Sequence, residues 1–324
     1  MKRNLWITIL LSGLTFLIPA LSLAQTYPTK PINILVGFAA GGTMDVSTRV
    51  LASKAEKLLG QPFIVTNNGG GGGSVALGIV AKERSDGYYL AGCTSTGLIR
   101  IPQFRPVPYQ LDDFVPIMHF GAPQTGVVVR SDSPFKTFRD LVEYAKKNPG
   151  KVTYSSTGVG SPMHLAMEYV AKQEGIQWTH VPYPGSTPAL TALLGGHVTA
   201  QSGSTEWIPQ IKAREVRLLA THGEKRMKIF PDVPTFRELG YDFINETVFM
   251  VAAPKGTPLA VVKKLEEAFH KAMDDPEFIQ TMDNMEIEIT YRNSEDTKRY
   301  LEEAYARLGK MITELKIPKE PEKK

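Results

Sequence analysis

Short apolar runs alternate with longer stretches of helical periodicity in the first part of the chain. The elements that this alternation predicts are strands at residues 32–38, 62–67 and 88–94 and helices at 44–59 and 74–82. Glycine-containing turns separate them, at Gly60, at 69–73 and at Asp86-Gly87. A β-α-β-α-β order predicts a parallel sheet with helices on both faces. Ligands of such sheets bind at the carboxyl ends of the strands, where these glycine-rich loops lie.

A second α/β series follows a proline-rich stretch at 102–116, which we interpret as a linker or long loop. Its predicted elements are strands at 125–130, 152–156, 178–181, 198–202 and 216–220, a helix after 137 that ends near 148, and helices at 162–174, 188–194 and 208–213. A strand at 247–253 is expected to return to the first series, where helices at 259–273 and 295–315 would pack. We therefore expect an α/β protein with two lobes, each a sheet flanked by helices: residues 25–123 with 247–324, and residues 124–246.

The first 24 residues have the pattern of a signal peptide. Lys2 and Arg3 precede an apolar run at 5–21, and Ser22-Leu23-Ala24 supplies small residues for cleavage before Gln25. A membrane anchor is the alternative, because the run is marginally long enough to span a bilayer. Pro19 and the small residues favour the signal peptide, so we expect an exported, soluble, periplasmic protein.

Charge and cysteine content exclude several classes of function. The chain of 324 residues has a formal net charge of +4 and no clustered basic stripe, which does not suggest nucleic-acid binding. Cys93 is the single cysteine, so an internal disulfide or a Cys-rich metal site is excluded, and we expect it to pack as a small hydrophobe. The charged residues 319–324 are predicted to form a solvated tail.

The most informative stretch is residues 36–45, where an apolar run stops at Gly41-Gly42 and a helical pattern begins near Thr43. A strand that turns over glycines into a helix leaves backbone N–H groups unpaired near the positive end of the helix dipole, and such a place attracts an anion. The same device recurs at 69–74, 155–161 and 184–187. The alternative for the first of these loops is a tight turn that simply needs glycine, and the alternative for 69–74 is a plain flexible loop.

In the first lobe, the residues expected to line the ligand site are Phe38, Ala39, Ala40, Gly41, Gly42, Thr43, Asp45, Thr94 and Ser95. A nucleotide-binding P-loop is excluded, because no Gly-Lys-Ser/Thr follows the glycines. Asp45 and Arg49 are spaced to pair with each other on the helix, so a structural role is favoured for both. Any contact of Asp45 with an anion would need a water or a donor group between them.

In the second lobe, the residues expected to line the site are Ser156, Thr157, Gly158, Ser161, His164, Tyr183, Ser202 and Gly203. Ser161 fits the N-cap of a helix whose first residue is Pro162. His164 is expected to be neutral near the helix start and to donate one hydrogen bond, either to a ligand or to a neighbouring loop. Ser186 or Thr187 repeats the cap before Pro188, and Trp207 is assigned to the core or to a cleft wall.

Catalytic patterns are missing from the sequence. It has no Gly-x-Ser-x-Gly elbow and no His-Glu-x-x-His zinc pair. Ser133-Pro134-Phe135-Lys136 matches Ser-x-x-Lys but lacks the partner motifs, and the Asp-Asp pairs at 112–113 and 274–275 lack calcium-loop spacing. We expect no metal, no cofactor and no enzymatic activity.

Together these motifs resemble the substrate-binding proteins of tripartite tricarboxylate transporters, the TctC/Bug family. The matching segments are Tyr27-Pro28-Thr29-Lys30-Pro31-Ile32, Phe38 to Asp45 with Arg49, Gly72-Gly73, Asp86-Gly87-Tyr88, Tyr144-Ala145-Lys146, Asn148-Pro149-Gly150, Gly158-Val159-Gly160-Ser161, His164, His180-Val181-Pro182-Tyr183, Leu194-Gly195-Gly196, and Pro231-Asp232-Val233-Pro234-Thr235 with Glu238 and Gly240. One segment departs from the family: Asn68-Gly69-Gly70-Gly71 replaces the usual Lys-Pro-Gly-Ala, which removes a stiffening proline and a positive charge.

The resemblance implies a two-lobed periplasmic binding protein of type II-like architecture. A small mono- or dicarboxylate would lie between the lobes, held by loop amides and ordered waters, and the partner would be a two-subunit integral membrane transporter. We expect the protein itself to be a monomer. The alternatives are a binding module that feeds a sensor, a hydrolase that uses His164 with Ser161 or Ser156, and an α/β domain that binds no ligand.

Overall fold

The computed structural model describes residues 27–183, 185–244 and 247–316. The predicted signal peptide, Pro184 of the fourth turn and the C-terminal tail lie outside these residues. Two sheets form the framework of the described chain, and helices flank both of them. Within this part of the chain, no helix has both the length and the apolar character that crossing a membrane requires.

Strands and helices are numbered along the chain. The first sheet contains β1 (Ile32–Val36), β2 (Phe63–Asn67), β3 (Tyr89–Thr94), β4 (Phe114–Pro123), β10 (Phe249–Pro254) and β11 (Ile287–Glu288). The second sheet contains β5 (Gly126–Arg130), β6 (Thr153–Ser156), β7 (Thr179–Pro182), β8 (Ala200–Gly203) and β9 (Val216–Thr221). The helices are α1 (Thr43–Leu59), α2 (Ser74–Val80), α3 (Ile101–Phe104), α4 (Phe138–Lys147), α5 (Pro162–Glu174), α6 (Ser186–Leu194), α7 (Ile208–Lys212), α8 (Leu259–Ala272), α9 (Pro276–Asn284) and α10 (Ser294–Leu315).

The first sheet is mixed, with the order β11-β4-β10-β3-β1-β2. β1 pairs in parallel with β2 and β3, as the β-α-β-α-β order predicts. β10 runs antiparallel to β3 and β4, so the prediction of a wholly parallel sheet is wrong on this side. The chain leaves for the second sheet after β4 and returns to the first sheet through β10.

β4 is the main element that the sequence pattern does not predict. The proline-rich stretch at 102–116, interpreted as a linker or loop, contains α3 and a 3₁₀ turn at Leu111–Asp113 and runs into β4. Pro116 lies opposite Ala252 beside a register irregularity of the β4–β10 ladder. Because a proline cannot donate to a ladder, it is tolerated in a strand mainly at edges and bulges. α9 and the short β11 were not predicted either.

The second sheet is also mixed, in the order β7-β6-β8-β5-β9. β6 is parallel to β7 and β8, whereas β5 is antiparallel to β8 and β9. The carboxyl ends of β6, β7 and β8 consequently meet at one edge. We call the residues packed on the first sheet the first lobe and those packed on the second sheet the second lobe. The residue boundaries proposed for the lobes stay a prediction.

Local capping signals explain where two helices begin. Ser161 Oγ accepts a hydrogen bond from the His164 amide at 3.1 Å, so the predicted N-cap of α5 is confirmed. α6 begins two residues earlier than expected, and its N-cap is Gly185, which makes no side-chain cap. The prediction that Ser186 or Thr187 caps this helix is therefore wrong, because both residues already lie within its first turn.

α10 joins the two lobes. Leu301 and Ala304 in its first half pack in a core cluster of the first lobe, which also contains Cys93. Leu308 and Ile312 in its second half pack in the core of the second lobe. Cys93 is buried, as predicted, and burial raises the pKa of its thiol to about 12, which leaves it unreactive at neutral pH.

Candidate ligand-binding site

The glycine loops of the first lobe touch each other at the carboxyl ends of β1 and β2. Loop A (residues 37–42) joins β1 to α1, and loop B (residues 68–73) joins β2 to α2. A Cβ added to Gly37 would lie only 2.8 Å from the Cα of Gly73, so the two backbones pack without room for a side chain. A Cβ added to Gly73 would lie 3.5 Å from the Phe38 ring, in ordinary van der Waals contact.

Asp45 organises loop A from the first turn of α1. Its Oδ2 accepts a hydrogen bond from the Gly41 amide at 2.8 Å, and its Oδ1 accepts from Arg49 Nε and Asn67 Nδ2, both at 2.8 Å. Burial favours a higher pKa for Asp45, but these hydrogen bonds, from Arg49 above all, outweigh it and hold the pKa below its usual value. Both carboxylate oxygens are thus taken by the protein, which corrects the assignment of Asp45 to the ligand contacts and supports its structural pairing with Arg49.

Part of loop A keeps backbone donors available. The Gly41 amide is taken by Asp45 and the Gly42 amide by Ala39 O at 3.2 Å, so the prediction of free amides is wrong at these two glycines. The amides of Ala39, Ala40 and Thr43 have no acceptor among the described residues, and all three residues are exposed. They lie at the N-terminal end of α1, where the helix dipole favours negative charge.

Thr94 and Ser95, at the end of β3, are both buried, although they were expected to line the ligand site. Ser95 is buried and exchanges two hydrogen bonds with Val248, through its amide at 3.0 Å and its hydroxyl at 3.1 Å. This pairing joins the end of β3 to the chain that returns through β10. Thr94 is also buried, and its Oγ1 has no hydrogen-bond partner among the described residues.

In the second lobe, two histidines and two serines form one network at the carboxyl end of β6. Ser156 Oγ lies 2.7 Å from His180 Nε2 and 3.3 Å from Ser161 Oγ. The rings of His164 and His180 stack with their centroids 4.1 Å apart. Burial, together with the neighbouring His180, lowers the pKa of His164 to about 3, and burial lowers the pKa of His180 to about 4. Both imidazoles are therefore neutral at physiological pH, as expected for His164.

Loop C (residues 157–161) satisfies most of its own amides. The Gly158 amide donates to Ser156 Oγ at 3.2 Å, and the Gly160 amide donates to His164 Nδ1 at 3.1 Å. The Ser161 amide donates to Gly158 O at 3.2 Å. The expectation of free amides at Gly158 and Ser161 is therefore wrong.

Two donors at or beside loop C are not used by the loop itself. The amide of Thr157 has no acceptor among the described residues. His164 uses Nδ1 as an acceptor from its own loop, which leaves the proton of the neutral ring on Nε2. His164 therefore serves the loop through one nitrogen and keeps a donor on the other.

The remaining predicted residues have different surroundings. Ser202 is fully buried and its hydroxyl donates inward to Met163 O at 2.9 Å, so it does not offer that group to a ligand. Tyr183 is half-buried and packs against the core cluster of the second lobe that contains Trp207, and its amide donates to Ser156 O at 3.0 Å. Trp207 is completely buried and belongs to the core.

Three polar residues at this edge were not predicted: His180, Gln201 and Glu206. Glu206 accepts hydrogen bonds from the Ser204 amide at 3.1 and 3.0 Å and from Gln201 Nε2 at 2.9 Å. A Cβ on Gly203 would lie 2.5 Å from Glu206 Oε1, so the glycine leaves space for this carboxylate. Burial raises the pKa of Glu206. The sequence signal was available, because Gln201 is a polar residue inside a buried strand.

The loops of the two lobes meet through Phe104. This residue follows β3 in the chain but packs in the second-lobe core. A Cβ on Gly160 of loop C would lie 2.7 Å from the Phe104 ring, so the two surfaces are in close contact. Ile101, three residues earlier, contacts Gly72 of loop B in the same way. The segment at 101–104 therefore bridges loops B and C.

The candidate residues thus comprise backbone donors in loop A and imidazole and carboxylate groups in the second lobe. The model of the tripartite tricarboxylate transporter family receptor matches residues 47–317 of the chain. The chain belongs to this family. The UPF0065 protein in the gbd 5' region of Cupriavidus necator is 38% identical over 302 residues, which are 93% of this chain and 92% of that protein.

Solved structures of the same receptor family share the fold. The periplasmic binding protein BugD is 30% identical with a TM-score of 0.77, over 91% of this chain and 100% of that chain. The R. palustris protein Rpa4515, solved with adipate, is 28% identical with a TM-score of 0.80, over 91% of this chain and 100% of that chain. The predicted family and its α/β periplasmic-binding fold are therefore confirmed.

Proposed function

We propose that the protein captures a small carboxylate between its lobes and delivers it to a two-subunit membrane transporter. The observation that carries this proposal is the set of exposed backbone amides at Ala39, Ala40 and Thr43, which have no acceptor among the described residues and lie at the start of α1. Amides at a helix N-terminus stabilise an anion. The relative Rpa4515 was solved with the dicarboxylate adipate, which supports a ligand of this class.

Binding would proceed by closure of the lobes on the ligand. One carboxylate group accepts hydrogen bonds from loop A, and the rest of the molecule reaches loop C and the end of β8. Because Asp45 already neutralises Arg49, loop A offers dipoles rather than a full positive charge. Such a site suits moderate affinity, which a receptor needs if it is to release its ligand to a transporter.

The proposal places the mature protein in the periplasm, after cleavage near Ala24. Its family comprises periplasmic solute-binding proteins such as BugD, which supports export. A sensor as the recipient, in place of a permease, uses the same binding site and remains the alternative for the partner.

The site does not favour hydrolysis. Ser161 Oγ accepts from the backbone of His164, and the ring of that histidine accepts from loop C, so no Ser161–His164 nucleophile pair exists. Ser156 does pair with His180 at 2.7 Å, but Ser156 is completely buried. An exposed nucleophile held by its base is the geometry that hydrolases require. We therefore propose a binding protein that does not act as an enzyme.

Isothermal titration against four- and six-carbon carboxylates, amines and neutral sugars tests this function. We expect heat of binding from at least one carboxylate and none from the other two classes. Binding of amines or sugars alone would contradict the proposal. An esterase assay on the same preparation should show no turnover, and turnover that His180→Ala abolishes would favour the hydrolase instead.

A further inference from the structure

The second lobe carries its own carboxylate at the edge where the site lies. β6 and β8 are parallel, with Ser155 opposite Gln201, so the chain that leaves β8 emerges beside loop C. Glu206 lies three residues beyond the end of β8, and its carboxylate fills the space next to Gly203. The candidate ligand edge of this lobe therefore includes an acidic side chain, and unlike Asp45 beside loop A it has no arginine partner among the described residues.

Burial raises the pKa of Glu206, but its hydrogen-bond partners oppose that shift and favour the charged form. Its partners are the Ser204 amide, the Gln201 side-chain amide and the Ser186 hydroxyl, and all of them are donors. Ser186 is the first residue of α6, so the carboxylate lies against the positive end of that helix. The start of α6, which was predicted to bind an anionic ligand, is therefore occupied by a carboxylate of the protein itself.

Among the lysines and arginines that the structure describes, none compensates this charge. Within the described residues, Glu206 forms no ion pair with a lysine or an arginine. A ligand carboxylate brought to this edge would meet a like charge in a partly desolvated place, which is unfavourable. A hydroxyl, amide or ammonium group would instead find an acceptor in the carboxylate of Glu206, which is only half-buried.

We propose that Glu206 selects a carboxylate ligand whose far end bears a hydrogen-bond donor, and that it discriminates against dicarboxylates. The inference rests on the proposed function, because it takes the first carboxylate of the ligand to lie on loop A. Glu206 acts here as a specificity-determining residue: it accepts a hydrogen bond from a hydroxyl, amide or ammonium group and repels a second carboxylate.

The test is titration calorimetry at pH 8 with two series in which only the end group changes. The four-carbon series is butyrate, 4-hydroxybutyrate, 4-aminobutyrate and succinate, and the six-carbon series is hexanoate, 6-hydroxyhexanoate, 6-aminohexanoate and adipate. The wild-type protein should bind a hydroxy or amino member more tightly than the dicarboxylate of the same length. The comparison of the two donor-bearing members shows whether a neutral or a cationic donor is preferred.

Glu206→Gln removes the charge and keeps the shape of the side chain. It should shift the affinity ratio toward the dicarboxylate by about 10-fold, the order expected when one like-charge contact is removed. Glu302→Gln, a substitution on the exposed face of α10, is the matched control and should leave the ratio unchanged.

Three results would overturn the inference. If the wild-type protein prefers the dicarboxylate at both lengths, or if Glu206→Gln leaves the ratio unchanged in a protein that still binds carboxylates, Glu206 does not select the ligand and the proposed function stands. If no member of either series binds, the proposed function fails and the inference fails with it. The wild-type comparison decides the matter even if the variant does not fold.

Discussion

Loops A and C occupy equivalent places at the ends of β1 and β6, but they differ in whether their backbone amides have acceptors within the protein. Loop A leaves the amides of Ala39 and Ala40 without acceptors and exposes them. Loop C donates the amides of Gly158 and Gly160 to its own serine and histidine side chains. The same glycine-rich pattern thus gives an open donor set in one lobe and a closed network in the other.

This difference assigns separate tasks to the two lobes. Backbone amides recognise a carboxylate without regard to the rest of the molecule, so loop A suits a part that all ligands of the class share. Side chains such as His164 and Glu206 differ in charge and hydrogen-bonding capacity, so the second lobe is suited to discriminate between far ends. We therefore expect substitutions in loop A to alter affinity in general and substitutions in the second lobe to alter selectivity or stability.

The largest expected effect is acid unfolding of the second lobe. His164, His180 and His222 are buried there with pKa values lowered to about 3, about 4 and about 3. Because their folded pKa values lie below the unfolded value of about 6.5, the unfolded chain binds more protons, and stability present above pH 6.5 is lost as the pH falls toward 4. The loss should reach several kcal/mol in total. The first lobe has one comparable residue, His119, with a pKa lowered to about 3.

The tryptophans allow this effect to be measured in one lobe. Of the three in the chain, Trp6 lies in the predicted signal peptide, while Trp178 and Trp207 are both buried in the second lobe. Urea unfolding of the mature protein followed by their fluorescence at pH 7.5 and 4.5 should show a large fall in midpoint, and hydrogen exchange in β1 to β3 should change less. Replacement of the exposed His197 by Gln is the control. Loss of protection first in β1 to β3 would contradict the comparison.

The next effect is loss of ligand affinity on removal of Asp45. Asp45→Ala leaves the Gly41 amide, Arg49 and Asn67 without their shared acceptor, so loop A loses the contacts that set its shape. Charge-assisted hydrogen bonds contribute about 1.5–3 kcal/mol each, so we expect affinity for the best carboxylate of the panel to fall by about 100-fold. Asp132→Ala, which removes an exposed ion pair of the second lobe, should not change it. Calorimetric titration that gives equal affinities for both variants would argue against the role of Asp45.

The smallest effect is on stability, through the cap of α5. Ser161→Ala removes the acceptor of the His164 amide and should lower the free energy of unfolding by about 1 kcal/mol. Because loop A is untouched, affinity for a carboxylate should change by less than about threefold. Ser161→Asp retains an acceptor at the cap and should restore the stability. A large loss of affinity in the alanine variant would show that the Ser161 hydroxyl contacts the ligand.

Local signals explain which parts of this fold the sequence predicts. α5 begins and ends where predicted, because a serine cap, a proline at the first position and Gly175 after the last residue all act within a few residues. The parallel pairing of β1 with β2 and β3 follows from the same kind of local alternation. β4 escaped prediction because its prolines suggest a loop, and only its pairing with the distant β10 shows that it is a strand.

The candidate site was predicted less completely, since its details depend on partners far apart in sequence. Asn67 holds Asp45 across 22 residues, and His180 reaches Ser156 across 24. A local pattern can place a glycine turn at the start of a helix, but it does not show whether a distant side chain occupies the amides. The sequence therefore predicts where the glycine loops lie. Which of their amides already have an acceptor within the protein is known only from the folded structure.

The central claim is that the free amides of loop A and of Thr43, the residue that follows it, hold the ligand carboxylate, and Thr43 provides the most direct test. Thr43 is the first residue of α1, and Gly42 before it has φ −74° and ψ 165°, a conformation compatible with a following proline. Thr43→Pro therefore removes the amide hydrogen while preserving the helix, and Thr43→Ala removes only the hydroxyl. Calorimetry with the tightest-binding carboxylate of the panel should show that the proline variant binds about 10-fold more weakly than the alanine variant. Equal affinities for the two variants would contradict the account.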